Sequence, residues 1–258
     1  MPSNEAVVVT GSAGGLGAAT VARFVAAGYT VYGLDRSTAA LESQGNVHQI
    51  DVDVCSDTAV GEVFAEIAAH ASVAGLVHCA GIADFGPSNP GHLISPETGE
   101  PLDNLETIER TLRINLLGSF IMVRHAAGAI ARRTQVEDGS RGFIVLTSSG
   151  AAFDGKAGQS AYSASKSGVA GMTLPLAREL SRFGIRVVTI APGLFDTPIL
   201  DKTPPLPRHV PFPPRMGDPG EFAALAHHVA ENSYLNAEVI RIDGGIRGGF
   251  ESTTPFVR

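Results

Sequence analysis

Short apolar runs and helical patterns alternate along this chain from its first residues. Ala6–Val9 is a β-branched run that reads as a strand. A glycine cluster follows, then apolar positions at helical spacing from Leu16 to Ala27, closed by Gly28. The same alternation predicts strands at Thr30–Leu34, Val47–Val54, Gly75–His78, Gly142–Leu146, Arg186–Ile190 and Glu238–Ile242. Helices are predicted at Val60–Ala69, Ile108–Arg133 (broken in two near Arg113), Ala161–Phe183 and Glu221–Glu231. Strands that are apolar throughout belong in a parallel sheet covered on both faces. The predicted architecture is therefore α/β, a doubly wound parallel seven-stranded sheet with helices on both faces, in a single domain spanning residues 1–258.

Two stretches break this rhythm. Asp84–Asn104 holds four prolines and Thr197–Pro219 holds eight. Both follow the carboxyl ends of predicted strands, where open α/β sheets bind their ligands. Connections this long inside a compact domain are usually functional, so both are read as walls of a substrate pocket.

Composition and charge narrow the class. With 44% hydrophobic and 17% charged residues, the chain has ample material for a core and no signature of disorder. A formal charge of −7 with scattered arginines argues against a nucleic-acid partner. Met1–Glu5 is polar and no apolar stretch is long enough to span a bilayer, so a soluble, cytoplasmic protein without a membrane partner is expected. Cys55 and Cys79 fall at the ends of the third and fourth predicted strands. In the expected strand order that is roughly 14 Å, beyond disulfide reach, and free thiols are expected. The eight histidines include one close pair, His227–His228, whose side chains diverge on a helix, so no metal site is expected.

The candidate chemistry begins at the first strand–helix turn, Thr10-Gly11-Ser12-Ala13-Gly14-Gly15-Leu16-Gly17. Glycines there let backbone N–H groups approach a pyrophosphate, and the helix N-terminus adds partial positive charge. Asp35, ending the second strand, is placed to accept hydrogen bonds from both hydroxyls of an adenosine ribose and to repel a 2′-phosphate, which favours NAD over NADP. Arg36 beside it pulls the other way. Asp53 and Val54, ending the third strand, fit the adenine edge, although a carboxylate capping the next turn fits Asp53 equally well.

Tyr162 and Lys166 lie four apart on one predicted helix and so share a face. Oxidising an alcohol requires a base for the hydroxyl proton, and a free phenol with a pKa of ~10 is a poor one at neutral pH. An ammonium within one helical turn, together with an oxidised nicotinamide, is expected to lower that pKa. Only three lysines occur, Lys156, Lys166 and Lys202, which makes this placement less easily a random surface charge. Thr147-Ser148-Ser149 ends the fifth strand and brings a serine hydroxyl to the same edge of the sheet, able to hold the substrate oxygen. Asn115 is a polar residue on an apolar helical segment, fitting either a catalytic role or a satisfied core amide.

Together, the Tyr-x-x-x-Lys pair, the upstream serine, the Thr-Gly-x-x-x-Gly-x-Gly turn and the asparagine-bearing helix resemble the short-chain dehydrogenase/reductase family over essentially the whole chain. The resemblance implies a Rossmann-type fold, Tyr162 as general acid/base and Ser149 rather than Ser148 as the substrate-oxygen donor. It further implies Lys166 on the nicotinamide ribose and tuning Tyr162, and Asn115 supporting a proton-relay water. Pro192, Gly193, Phe195 and Thr197 match the segment that meets the nicotinamide amide. Cys79, Ala80 and Gly81 match the adenosine-ribose wall, with His78 standing where the family usually has asparagine. The segments Ala151–Phe153, Gln159–Lys166, Gly171–Pro175, Ala191–Phe195, Val210–Pro213 and Asn236–Arg241 are similar to the branch of type 2 3-hydroxyacyl-CoA dehydrogenases, also known as type 10 17β-hydroxysteroid dehydrogenases. That branch implies an NAD-linked oxidation of a 3-hydroxyacyl-CoA, with steroids and other secondary alcohols as alternatives, by a homotetramer. A dinucleotide-binding regulator without turnover is the competing class; the complete Ser149, Tyr162, Lys166 and Asn115 set argues against it.

Overall fold

A computed structural model describes residues 5–36, 45–83, 91–136, 138–198 and 210–247. Its strands are β1 (Glu5–Thr10), β2 (Thr30–Asp35), β3 (Val47–Asp51), β4 (Ser72–His78), β5 (Gly142–Thr147), β6 (Ile185–Pro192) and β7 (Val239–Ile242). All pair in parallel, in the order β3-β2-β1-β4-β5-β6-β7. The order reverses between β1 and β4, which opens the crevice used by doubly wound sheets. The helices are α1 (Gly15–Ala26), α2 (Asp57–His70), α3 (Leu105–Leu112), α4 (Gly118–Ile130), α5 (Ser160–Leu180) and α6 (Pro219–Glu231).

Alternate residues of each central strand feed opposite cores. On β1, Val8 joins Leu76, Ile144, Leu146, Met122 and Val169 beneath α2, α4 and α5. Its neighbours Val7 and Val9 join Phe24, Phe143, Val145 and Phe222 beneath α1 and α6. Phe24 and Phe222 are fully buried, each contributing ~2–3 kcal/mol relative to exposure. This two-sided burial is why the strands read as unbroken apolar runs. Asp218 begins α6 with a reciprocal capping box to Glu221, and Ser56 caps α2 through the Ala59 N–H.

Three expectations change. The third strand ends at Asp51 rather than Val54, because the Val52 N–H turns to the Asp35 carbonyl at 2.9 Å and the Asp53 carboxylate accepts the Cys55 N–H at 2.9 Å. The expected break near Arg113 is a π-helical turn, Arg113–Leu117, that joins α3 to α4 without interrupting them. Part of the first loop is built rather than irregular: Ile94 and Pro101 form an antiparallel bridge, closed by the Ser95 N–H on the Glu100 carbonyl at 2.8 Å. The remainder of the two loops, residues 84–90 and 199–209, lies outside the described residues. Both cysteines are free thiols, with β2 and β1 standing between the strands they follow. Among the described residues no helix is long and apolar enough to cross a membrane.

Candidate active site

The crevice at the carboxyl ends of β1, β2 and β4 is a cleft of about 350 Å³. Of the residues expected to meet a dinucleotide, Gly11, Gly14, Gly15, Leu16, Gly17, Asp35, Arg36, Asp53, Val54, Cys79, Ala80, Gly81 and Thr197 line it. Pattern reading missed Leu34, Val52, Ile82, Ile114 and Pro198, apolar lining residues that carry no chemical signal of their own.

The turn is shaped for close approach. Gly11 has φ +65°, and a Cβ there would stand 2.9 Å from the Ala80 nitrogen. A Cβ on Gly17 would stand 2.0 Å from the Gly11 carbonyl oxygen, so this glycine allows α1 to begin directly against the turn. The N-cap residue, Gly14, has no side chain with which to cap α1, and the helix's first-turn N–H groups lack intrahelical partners. An uncapped helix N-terminus in a glycine-lined cleft fits an anionic pyrophosphate. Asp35 is fixed beside it, its two oxygens accepting the Ala13 N–H at 3.0 Å and the Arg36 N–H at 2.7 Å. Each oxygen keeps a lone pair for a ribose hydroxyl.

Several expected residues lie differently. Ser12 is buried away from the cleft, donating its hydroxyl to Gln49 Oε1 at 2.9 Å and its N–H to the Leu34 carbonyl. Phe195 is buried against the Phe222 ring, in the core rather than on the cleft surface. Asp53 caps the Cys55 turn while also lining the cleft. His78 supplies a cross-strand bond, Nδ1 to the Thr10 hydroxyl at 2.8 Å, and Thr10 Oγ1 in turn accepts the Ala80 N–H at 3.0 Å.

The catalytic candidates, none of them among the cleft's lining residues, converge beside its Gly81 wall. The Tyr162 phenol is hydrogen-bonded with Ser149, whose Oγ also accepts the Ala151 N–H at 3.1 Å. Ser148 is buried and donates to the Lys166 carbonyl at 2.7 Å, which leaves Ser149 as the serine facing the phenol. Lys166 is buried with Nζ donating to the Thr147 carbonyl at 3.0 Å, 6.0 Å from the centroid of the Tyr162 ring. A Cβ on Gly81 would come within 3.2 Å of that Nζ and 3.1 Å of Asn115 Oδ1, so both groups stand directly behind the cleft wall. Asn115 sits in the π turn, with its amide donating to the Ile82 carbonyl (2.9 Å) and Ser165 Oγ (3.1 Å) and accepting the Ile82 N–H (2.8 Å). Its side chain clamps the Ile82 backbone from both sides, with both amide hydrogens used and one lone pair of Oδ1 left.

The expected lowering of the phenol's pKa needs the ammonium and an oxidised nicotinamide together; in the protein alone burial pushes Tyr162 up, the Ser149 hydrogen bond offsets part of this, and Lys166 adds no lowering. The reason is geometric: the ammonium points at the Thr147 carbonyl rather than at the phenol oxygen. Burial also pulls Lys166 down to about 8. Between that value and its ordinary one the unfolded chain binds the extra proton, so this group's contribution to stability rises with pH, by about 3 kcal/mol in all. Lys166→Met is therefore expected to be most stabilising, relative to the unchanged cofactor-free protein, near pH ~7, with the gap closing toward pH ~10. Denaturant unfolding at several pH values measures it, and a pH-independent gap would contradict the buried charge.

Comparison with known proteins places this architecture. Residues 5–205 match the short chain dehydrogenase family model. The chain belongs to the short-chain dehydrogenase family and is an oxidoreductase acting on CH–OH groups, using a nicotinamide dinucleotide. It is 43% identical over 251 residues to 3-hydroxyacyl-CoA dehydrogenase type-2 of Homo sapiens, covering 93% of this chain and 94% of that one. The Drosophila melanogaster protein of the same name is 41% identical, covering 96% and 99%. A crystal structure of 3-hydroxyacyl-CoA dehydrogenase type-2 from Mycobacterium avium superposes with a TM-score of 0.85 at 34% identity, over 95% of this chain and 96% of that one.

Proposed function

We propose that this protein is an NAD-dependent dehydrogenase that oxidises the 3-hydroxyl of a 3-hydroxyacyl-CoA to the ketone. The hydrogen-bonded Ser149–Tyr162 pair, with Lys166 buried one helical turn on and just behind the cleft wall at Gly81, carries the reading. Ser149 holds the substrate oxygen against the phenol. Tyr162 takes the hydroxyl proton as the C–H bond electrons depart, so the carbinol becomes a carbonyl. The oxidised nicotinamide, when bound, accepts the hydride and contributes a positive charge that opposes the burial effect on Tyr162. Lys166 would bind the nicotinamide ribose, and Asn115 would support the proton path from its place in the π turn. Gly11, Gly14, Gly15, Leu16 and Gly17 would hold the pyrophosphate and Ala80 and Gly81 the adenosine ribose; Thr197, on the cleft, and Pro192 and Gly193, outside its lining, would meet the nicotinamide amide.

NAD is favoured over NADP because the Asp35 carboxylate, held by two backbone N–H groups and lining the cleft at the end of β2, would accept from ribose hydroxyls and repel a 2′-phosphate. The acyl-CoA substrate rests on the similarity to 3-hydroxyacyl-CoA dehydrogenases type-2 along nearly the full chain. Exposed Leu117 and Phe120 on the π turn and α4, with Leu174 on α5, are apolar surface that supports contact between copies, which we read as a homotetramer; we assign the protein to the cytoplasm. The test is a panel of 3-hydroxyacyl-CoAs of graded length, hydroxysteroids and simple secondary alcohols, each with NAD and NADP. The expected result is highest kcat/KM for a 3-hydroxyacyl-CoA with NAD, and a narrowed cofactor preference in Asp35→Ala. NADP winning in the unchanged protein would mean Arg36 outweighs Asp35; a steroid winning would reassign the substrate.

A further inference from the structure

Past the β5–β6 ladder, whose end is marked by the Ser148 N–H on the Ile190 carbonyl at 2.8 Å, the chain diverges into two turns. One carries Ser149, the other Pro192-Gly193. A single guanidinium spans them. Arg241, on edge strand β7, has a largely buried side chain, and its Nη2 lies 3.7 Å from where a Cβ on Gly150 would be. That Nη2 donates to Asp154 Oδ2 and to the Ile246 carbonyl at 3.3 Å. The Asp154 N–H is in turn bonded to the Gly150 carbonyl at 3.0 Å, so this arm grips the turn that begins at Ser149. The other arm, Nε, donates to Asp243 Oδ2 at 2.8 Å.

Asp243 is the more deeply buried carboxylate, its side chain only 6% exposed. It also accepts from Arg247 Nη1 and from the Gly245 N–H at 3.1 Å. Its Cβ stands 2.7 Å from where a Cβ on Gly193 would be, and the Gly193 N–H donates to the Ile242 carbonyl at 2.9 Å. The guanidinium also lies 5.3 Å from the centroid of the Phe153 ring. Two carboxylates on separate turns thus meet on the fork of one arginine, the geometry a guanidinium supports and an ammonium does not. Without it the two turns would lose the cation they share.

We propose that Arg241 is a positioning residue that sets the distance between the Ser149 turn and the Pro192-Gly193 turn through its bridge from Asp154 to Asp243. It is not among the residues lining the cleft. The inference rests on the roles proposed above for Ser149 and Pro192-Gly193. A displacement of about 1 Å at reacting atoms costs on the order of a hundredfold in rate, and the adenosine half of the cleft, at Gly11–Gly17 and Asp35, is far from this brace.

Arg241→Met, Arg241→Lys and Asp154→Asn separate the possibilities. In Arg241→Met, kcat is expected to fall about ten- to a hundredfold, with the NADH dissociation constant within about threefold of the unchanged protein. The fluorescence enhancement of bound NADH, which reports the nicotinamide end alone, is expected to drop with kcat. Arg241→Lys should not rescue either quantity, and Asp154→Asn, which weakens one arm only, should show a smaller loss of both. If Arg241→Met fails to fold, Asp154→Asn alone decides. Unchanged kcat and NADH fluorescence in these variants would overturn the proposal, as would a loss of NADH affinity in parallel with thermal stability. If the unchanged protein oxidised no alcohol yet the fluorescence fell in Arg241→Met, the brace would stand and the proposed substrate chemistry would fall.

Discussion

Tyr162→Phe is expected to lower turnover by about 10²- to 10⁴-fold, the range that a general acid/base supplies. The substitution removes one oxygen. It deletes the group that exchanges the substrate proton and the hydrogen bond with Ser149, and it leaves the glycine turn and Asp35 as they are. The dissociation constant for NAD is therefore expected to stay within about threefold, since that binding is made elsewhere in the cleft. Steady-state kinetics beside cofactor titration separates the two effects. Turnover near that of the unchanged protein would assign proton transfer to another group.

The second large effect is expected at Gly17. Its neighbour is the backbone oxygen of Gly11, at 2.0 Å from an added Cβ, with Ser12 Cα at 3.1 Å, and backbone has no rotamer through which to give way. Gly17→Ala must push the start of α1 off the turn, moving the free N–H groups away from the pyrophosphate position. Overpacking of this kind costs ~1–3 kcal/mol, or a fall in melting temperature of about 5 °C for a domain of this size. NAD affinity is expected to fall tenfold or more, about 1.4 kcal/mol. Gly128→Ala is the control: a Cβ there meets nothing within 4 Å, on an exposed position of α4. It should bind NAD normally and be slightly more stable, by helix propensity. Equal behaviour of the two variants would show that close packing at Gly17 does not shape the cleft.

Much of this was legible in the sequence because the physics is local. Apolar runs without alternation require two covered faces, and Val7, Val8 and Val9 divide between the two cores as that rule demands. The glycine turn and Asp35 were readable because strand ends in such a sheet face one crevice. Ser149 and Tyr162 were recognisable through the resemblance to the short-chain dehydrogenase pattern, and the folded chain brings them together. Long-range geometry was not readable. Nothing around Ser12 says that its hydroxyl turns to Gln49, nor around Phe195 that it packs on Phe222; both depend on how distant elements meet. The direction of the Lys166 ammonium depends on a carbonyl nineteen positions away in sequence, Thr147. The extent of β3 turned on a competition between ladder and turn at Asp53, which pattern alone does not decide. The Asp154–Arg241–Asp243 bridge had no signature at all, since its ends are separate turns joined by the fold.

The central claim is that hydride leaves a carbinol carbon for nicotinamide while Tyr162 takes the proton. It is tested most directly with a 3-hydroxyacyl-CoA deuterated at C3, incubated with NAD and the unchanged protein or Tyr162→Phe. The expected result is reduced cofactor carrying the deuterium with the unchanged protein, and none above background with Tyr162→Phe. Reduced cofactor without the label, or equal labelling by the two proteins, would contradict it.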